Sequence, residues 1–309
     1  MKPIKGIMAL TYTPLNRDFT LNEDAVRREI DWVLERGATG IWPGGYAGHW
    51  PELEEEVRKR HLKICIEHVR GRVFCAAGCH ATNTLQTIRL ANYAEKIGYD
   101  CAWISPTIPR KATDEETYEH HKQVIDHTGI PIALYDSSPV GSYMTPDLIS
   151  RIVEMSDRFV AMKAIVSDIV HIASLYSRGV DQKISIMGVE WNMLPHLLLG
   201  APGALGGSDW IPALCAMYEA FKAGKTVRAW EIQKAIIEQS PLLIPRTASL
   251  TMGSRIDNSG IGYLKCRFSL MSGIDLGPPM PPYLPASEAE VEKAGKGIRK
   301  IEALLAAKT

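Results

Sequence analysis

The sequence predicts an α/β protein: a (β/α)8 barrel over residues 1–224 and a C-terminal helical extension over 225–309 packed on it. Short apolar runs recur eight times along the chain, and each is continuous instead of alternating, as strands covered on both faces are. Helical stretches separate the runs, which is what parallel strands need for their crossovers. No Gly-x-Gly-x-x-Gly follows the first run, so a closed barrel is favoured over a doubly wound dinucleotide-binding sheet.

The first run is Ile7 to Thr11. A helix follows, with Val26, Ile30, Val33 and Leu34 on one stripe, Asn22 placed to cap it and Gly37 to stop it. Thr39 to Trp42 is the second run and Arg72 to Ala77 the third. Lys96-Ile97-Gly98 ends a helix before the fourth, Cys101 to Ile104, and His127-Thr128-Gly129 does so before the fifth, Pro131 to Tyr135. Phe159 to Lys163, Lys183 to Gly188 and Ala204 to Gly207 complete the eight. Beyond Ile211 the pattern is helical through Tyr218, Phe221, Val227, Trp230 and Ile237, and again from Glu288 to Ala306. A Gly-Pro-Pro-Met-Pro-Pro-Tyr segment at 277–283 interrupts it.

The chain has 309 residues, 46% of them hydrophobic and 23% charged, the composition of an ordinary globular protein. Its 35 basic and 35 acidic side chains cancel, so no overall positive field draws a phosphate backbone, and nucleic acid is not an expected partner. No apolar stretch approaches the ~18 residues of a membrane span, and the run Gly6 to Leu10 is too short for a signal segment; a cytoplasmic protein is expected. The six cysteines sit mostly in apolar segments and read as reduced core residues. Cys75, Cys79 and His80 form Cys-x3-Cys-His with no second pair downstream, which reads as a strand end and not as a metal site.

In a parallel barrel the chemistry lies at the C-terminal ends of the strands. Lys163 closes the sixth run in an apolar setting, Phe159-Val160-Ala161-Met162 before it and Ala164-Ile165 after, that lowers an amine's pKa and lets it attack a carbonyl. Tyr135 closes the neighbouring run, within reach of Lys163 if the two strands pair, and a phenol there can pass protons. After the second strand, Pro43-Gly44-Gly45-Tyr46-Ala47-Gly48-His49-Trp50 offers closely spaced glycines whose backbone N–H groups can converge on an anion.

Together these three elements resemble the dihydrodipicolinate synthase/N-acetylneuraminate lyase family of class I aldolases, over nearly the whole chain. Thr13-Pro14 follows strand one, and Gly45-Tyr46-Ala47-Gly48 stands where the family has Gly-Thr-Thr-Gly or Gly-Ser-Thr-Gly. Leu134-Tyr135-Asp136 matches its Tyr-Asn, Met162-Lys163 its Ile-Lys, and Gly188, Gly200-Ala201 and Gly203 its later spacing. The resemblance implies a homotetramer in which Lys163 forms an imine with a 2-oxo acid, usually pyruvate. Tyr135 would relay protons, the backbone around Tyr46 and Ala47 would hold the carboxylate, and no metal or organic cofactor is needed.

Departures from the family narrow the substrate. The threonine relay is missing at Tyr46 and Ala47, the Pro-Tyr-Tyr motif reads Pro106-Thr107-Ile108, and Pro139 to Thr145 lacks the arginine that dihydrodipicolinate synthases carry. The sugar-binding pattern of the sialic acid lyases is also altered: Glu190 is kept but Trp191 follows it, the strand-eight end reads Gly206-Gly207-Ser208-Asp209-Trp210, and His49 replaces a glutamate. Tyr46, Trp50, Trp191 and Trp210 crowd loops expected to face the mouth, which favours an apolar or aryl aldehyde over a sugar chain. That bias and the 277–283 segment resemble the family's hydratase-aldolases. His49 and His80 are candidate acid/base groups. The alternatives are a dehydratase of a 2-keto-3-deoxy sugar acid and a barrel that binds a 2-oxo acid without turnover.

Overall fold

The computed structural model describes residues 4–106, 112–136, 143–165, 168–239 and 260–307. Thr107, Ile108 and most of the stretch from Pro139 to Thr145, read above as departures from the family, lie outside them. Eight parallel strands close a barrel in chain order: β1 (Gly6–Leu10), β2 (Gly40–Trp42), β3 (Phe74–Gly78), β4 (Cys101–Ile104), β5 (Ile132–Asp136), β6 (Phe159–Ala164), β7 (Ser185–Val189) and β8 (Gly203–Gly207). β8 returns to β1 in register from Gly6 opposite Gly203 to Leu10 opposite Gly207. At this seam the backbones nearly touch: a Cβ on Gly203 would fall 1.9 Å from the carbonyl oxygen of Gly6, so only glycine closes the barrel here.

The helices of the barrel layer are α1 (Glu23–Glu35), α2 (Glu55–Val69), α3 (Thr84–Ile97), α4 (Asp114–His127), α5 (Pro146–Glu154), α6 (Ile169–Ser177), α7 (Met193–Leu198) and α8 (Ile211–Lys222). Asn22 caps α1 by accepting from the Ala25 amide, as its position implies. Three further helices, α9 (Thr226–Gln239), α10 (Ile261–Ser272) and α11 (Glu288–Ala306), form the extension. Ile232 and Ile236 of α9, Phe268 of α10 and Ile301 of α11 join the same core as the barrel helices, and Trp32 of α1 meets Phe268 edge-on at 5.1 Å.

The strands read as continuous apolar runs because alternate residues serve two cores. One set packs outward against the helices, among them Ile41, Ile104, Leu134, Met162 and Ile186. The other fills the barrel: Met8, Leu10, Trp42, Phe74, Trp103, Ala133, Tyr135, Ala161, Met187 and Leu205. Two tryptophans dominate this interior, with Trp42 stacked on Trp103 at 4.5 Å and 19° between planes. Among the described residues no helix is long and apolar enough to cross a membrane, and no group of three or more His, Cys, Asp or Glu is placed to hold a metal ion.

Candidate active site

Strand pairing delivers the central pair. Tyr135 lies opposite Lys163 in the β5–β6 register, and each shares a face with the residue two before it, Ala133 and Ala161, so both side chains enter the barrel. Lys163 is 6% exposed and Tyr135 2%. The Lys163 Nζ stands 4.9 Å from the centre of the Trp42 ring and 5.0 Å from that of Tyr135. Burial brings the amine down to about 8, with the carboxylate of Glu190 pulling the other way. Glu190, just past β7, is pushed by burial up to about 7, and Lys163 opposes that rise. Its backbone carbonyl accepts from Gln233 of α9 at 2.9 Å, while Oε2 is buried with no hydrogen-bond partner among the described residues.

Tyr46, Ala47 and Gly48 after β2 form a short helical turn entered from Gly45. The amides of Gly48 and His49 close it on the carbonyls of Gly45 and Tyr46, leaving the amides of Tyr46 and Ala47 at its open N-terminal end. Thr13 holds this loop from the β1 side by donating to the Gly48 carbonyl at 2.6 Å. The Tyr46 ring lies over Tyr135 at 6.0 Å and meets Trp50 at 5.6 Å. His80, two residues past β3, completes this aromatic group, with its ring 5.1 Å from Tyr135 and 6.0 Å from Trp50. Trp191 packs against the same interior cluster. Tyr46, Ala47, His80, Glu190 and Trp191 are thus brought to the end of the barrel where Lys163 and Tyr135 lie.

Three of the residues expected there have other surroundings. His49 turns away: its backbone takes a left-handed conformation (φ 61°), and its ring packs toward Tyr283 of the 277–283 segment and Glu52, whose Oε2 is 3.7 Å from Nδ1. Burial lowers its pKa. Trp210 belongs to the outer core, where the guanidinium of Arg267 stacks 3.9 Å over its ring. Gly207 makes room for a hydroxyl, since a Cβ there would fall 2.7 Å from the Tyr12 oxygen. Tyr12 O–H donates to Asp209 at 2.5 Å, Asp209 also accepts from Arg267 Nε at 2.6 Å, and Ser208 donates to Glu29 at 2.6 Å. Gly207 and Trp210 therefore line a buried polar joint between the barrel and α10. The reason is their place at the last residue of β8 and in the turn after it, where the chain bends outward to start α8.

The sequence reading missed Trp42 and Trp103, because a tryptophan inside an apolar run carries no sign of which face it takes. It also missed Arg58, which reaches from α2 to donate to the carbonyls of Gly78 and His80 at 3.2 and 2.7 Å.

With this geometry in view, the relatives become informative. The model of the dihydrodipicolinate synthetase family matches residues 3–294. The chain belongs to that family. A 4-hydroxy-tetrahydrodipicolinate synthase of Brucella suis is 30% identical over 238 residues, covering 76% of this chain and 81% of that one. One from Methanopyrus kandleri is 25% identical over 302 residues, 96% of each chain. In three dimensions the family member superposes on YagE, a prophage protein of the dihydrodipicolinic acid synthase family from E. coli K12 in complex with pyruvate. The TM-score is 0.86 at 20% identity, covering 97% and 99% of the two chains. Dihydrodipicolinate synthase DapA-2 of Bacillus anthracis gives 0.86 at 22% identity, covering 97% and 99%. The fold and the family are those the sequence resembles, and the protein is an enzyme of the aldolase-type lyases.

Proposed function

We propose that this family member is a Schiff-base lyase that joins or splits a 2-oxo acid, most simply pyruvate, and an apolar or aryl aldehyde. The observation that carries the reading is the Lys163 amine, buried over Trp42 and Tyr135 and brought down to about 8, so that part of it is uncharged at neutral pH. The Nζ lone pair attacks the ketone carbon, and the Tyr135 hydroxyl passes the amine's protons to the departing oxygen, which leaves as water. One proton taken from solvent through the Tyr135 hydroxyl makes the imine cationic, and the cation draws electrons. In cleavage the bond between the carbons β and γ to the carboxylate breaks, its pair forming the enamine, while Glu190 takes the proton of the γ-hydroxyl and an aldehyde departs. Glu190, held near 7, then returns that proton to the enamine carbon, and hydrolysis frees pyruvate. The open end of the Tyr46–Gly48 turn offers N–H groups for the carboxylate. The crowd of Tyr46, Trp50 and Trp191 supports the apolar character of the aldehyde.

The test is intact-protein mass after incubation with pyruvate and borohydride. The expected result is one reduced pyruvate adduct on the wild type and none on Lys163→Ala; an adduct of equal yield on Lys163→Ala refutes the assignment of the nucleophile. Tyr135→Phe should form the adduct roughly 10²-fold more slowly if its hydroxyl relays protons.

A further inference from the structure

The aromatic group beside Lys163 contains one polar ring to which the imine chemistry gives no task. His80 is fully buried, and neither of its ring nitrogens has a hydrogen-bond partner among the described residues. Its neighbours are aromatic: Tyr135 edge-on at 5.1 Å, Trp42 at 5.6 Å, Trp50 at 6.0 Å and Tyr46 at 6.5 Å. Lys163 stands over two of these same rings, Trp42 and Tyr135, so the imidazole and the amine border one surface from two sides. The position of His80 is built and not incidental. Its residue parity, two past the last residue of β3, continues the inward face of Ala76, and Arg58 clamps the backbone through the carbonyls of Gly78 and His80.

A buried imidazole that satisfies neither nitrogen has given up its hydration for nothing, and buried polar groups of this kind are the exception in folded proteins. Of the histidines with both nitrogens unpartnered among the described residues, His80 is the one that borders the rings under Lys163, where a substrate carrying an oxygen offers the partner. We propose that the His80 imidazole is the hydrogen-bond donor to the oxygen of the aldehyde half, the carbonyl oxygen in condensation and the γ-hydroxyl in cleavage. This rests on the Schiff-base reading above and deepens it. Burial above all, and then the cations of Arg58 and Lys163, hold the ring well below the usual histidine range, so it meets the substrate uncharged, with one N–H to give. It takes no proton itself. A neutral donor in a water-poor site polarises a carbonyl and aligns it for attack by the enamine, and the charge that develops on that oxygen is where a fixed donor has most effect.

The experiment compares two reactions in the same preparations. One is cleavage of 4-hydroxy-2-oxo-4-phenylbutanoate to benzaldehyde and pyruvate. The other is exchange of the pyruvate methyl protons for deuterium, which needs the imine but no aldehyde. His80→Leu is expected to lower kcat/KM for cleavage by about 10²-fold or more and to lower exchange far less. His80→Gln keeps an N–H donor and should recover at least about tenfold over His80→Leu, with the acid limb of its pH profile matching the wild type. Cleavage by His80→Leu at the wild-type rate overturns the proposal. So does a parallel loss of both reactions, which marks a packing role, and so does a wild type that exchanges but does not cleave this probe. A wild type that neither exchanges nor forms the reduced adduct fails earlier, at the pyruvate reading itself.

Discussion

Replacing Glu190 by glutamine probes the electrostatics on which the nucleophile depends. An ordinary lysine, at 10.5, is uncharged at pH 7 in only about one molecule in three thousand; one brought down to about 8 is uncharged in about one in ten. Burial therefore raises the attacking fraction by roughly 300-fold, and Glu190 works against it, because its carboxylate favours the ammonium. Removing that charge must move the amine lower still. The assay is the rate of pyruvate adduct formation with cyanoborohydride, followed from pH 5.5 to 10 at constant salt. The wild-type rate should rise with pH to a half-maximum near 8, and the Glu190→Gln midpoint should lie lower. Loss of the proton carrier will slow cleavage, but adduct formation does not pass through that step. A wild-type midpoint near 10 would refute the buried nucleophile, and an unchanged or higher midpoint in the variant would refute its coupling to Glu190.

Three further outcomes follow from burial and pairing. Trp42→Ala removes a fully buried indole from its stack on Trp103 and from beneath the Lys163 amine. It should cost about 3–5 kcal/mol in denaturant unfolding and move the adduct midpoint upward as water enters. Arg267→Ala leaves Asp209 buried with Tyr12 as its remaining hydrogen-bond partner among the described residues; a loss of about 3–5 kcal/mol is expected, and proteolysis should release α10 and α11 before it cuts the barrel. Asp136, whose carboxylate faces outward to accept from the Met144 amide at 3.0 Å and to hold His171 Nε2 at 3.0 Å, anchors the chain entering α5. Asp136→Asn should lower stability by about 1–3 kcal/mol by unfolding and slow adduct formation at Tyr135 and Lys163 only modestly; a loss of activity as deep as in Lys163→Ala would show that Asp136 acts in the chemistry itself.

Asp136 also shows how far a strand register reaches. Tyr135 enters the barrel, and one residue on, the Asp136 side chain meets α6. The sequence places Asp136 beside Tyr135 but says nothing of His171, thirty-five residues on, because that meeting depends on how α6 seats against β5 and β6. The same limit explains Trp210. Read as a ring after strand eight it belongs to the mouth, yet the chain turns outward at Ser208–Trp210 to start α8, and the indole becomes the platform for Arg267.

By itself the sequence determined the eight strands, their helices, the closed barrel and the pairing of a lysine with a tyrosine on adjacent strands. These follow from periodicity, caps and glycine stops, which act over a few residues and are written locally. Only the tertiary structure decided the rest: which tryptophans fill the barrel, that His80 sits among aromatic rings beside Tyr135 while His49 turns toward Tyr283, and that Glu190 shares its electrostatics with Lys163. Those are contacts between distant segments. A side chain's burial, its charge state and its partner are set by what arrives from elsewhere in the chain, and no local pattern records that.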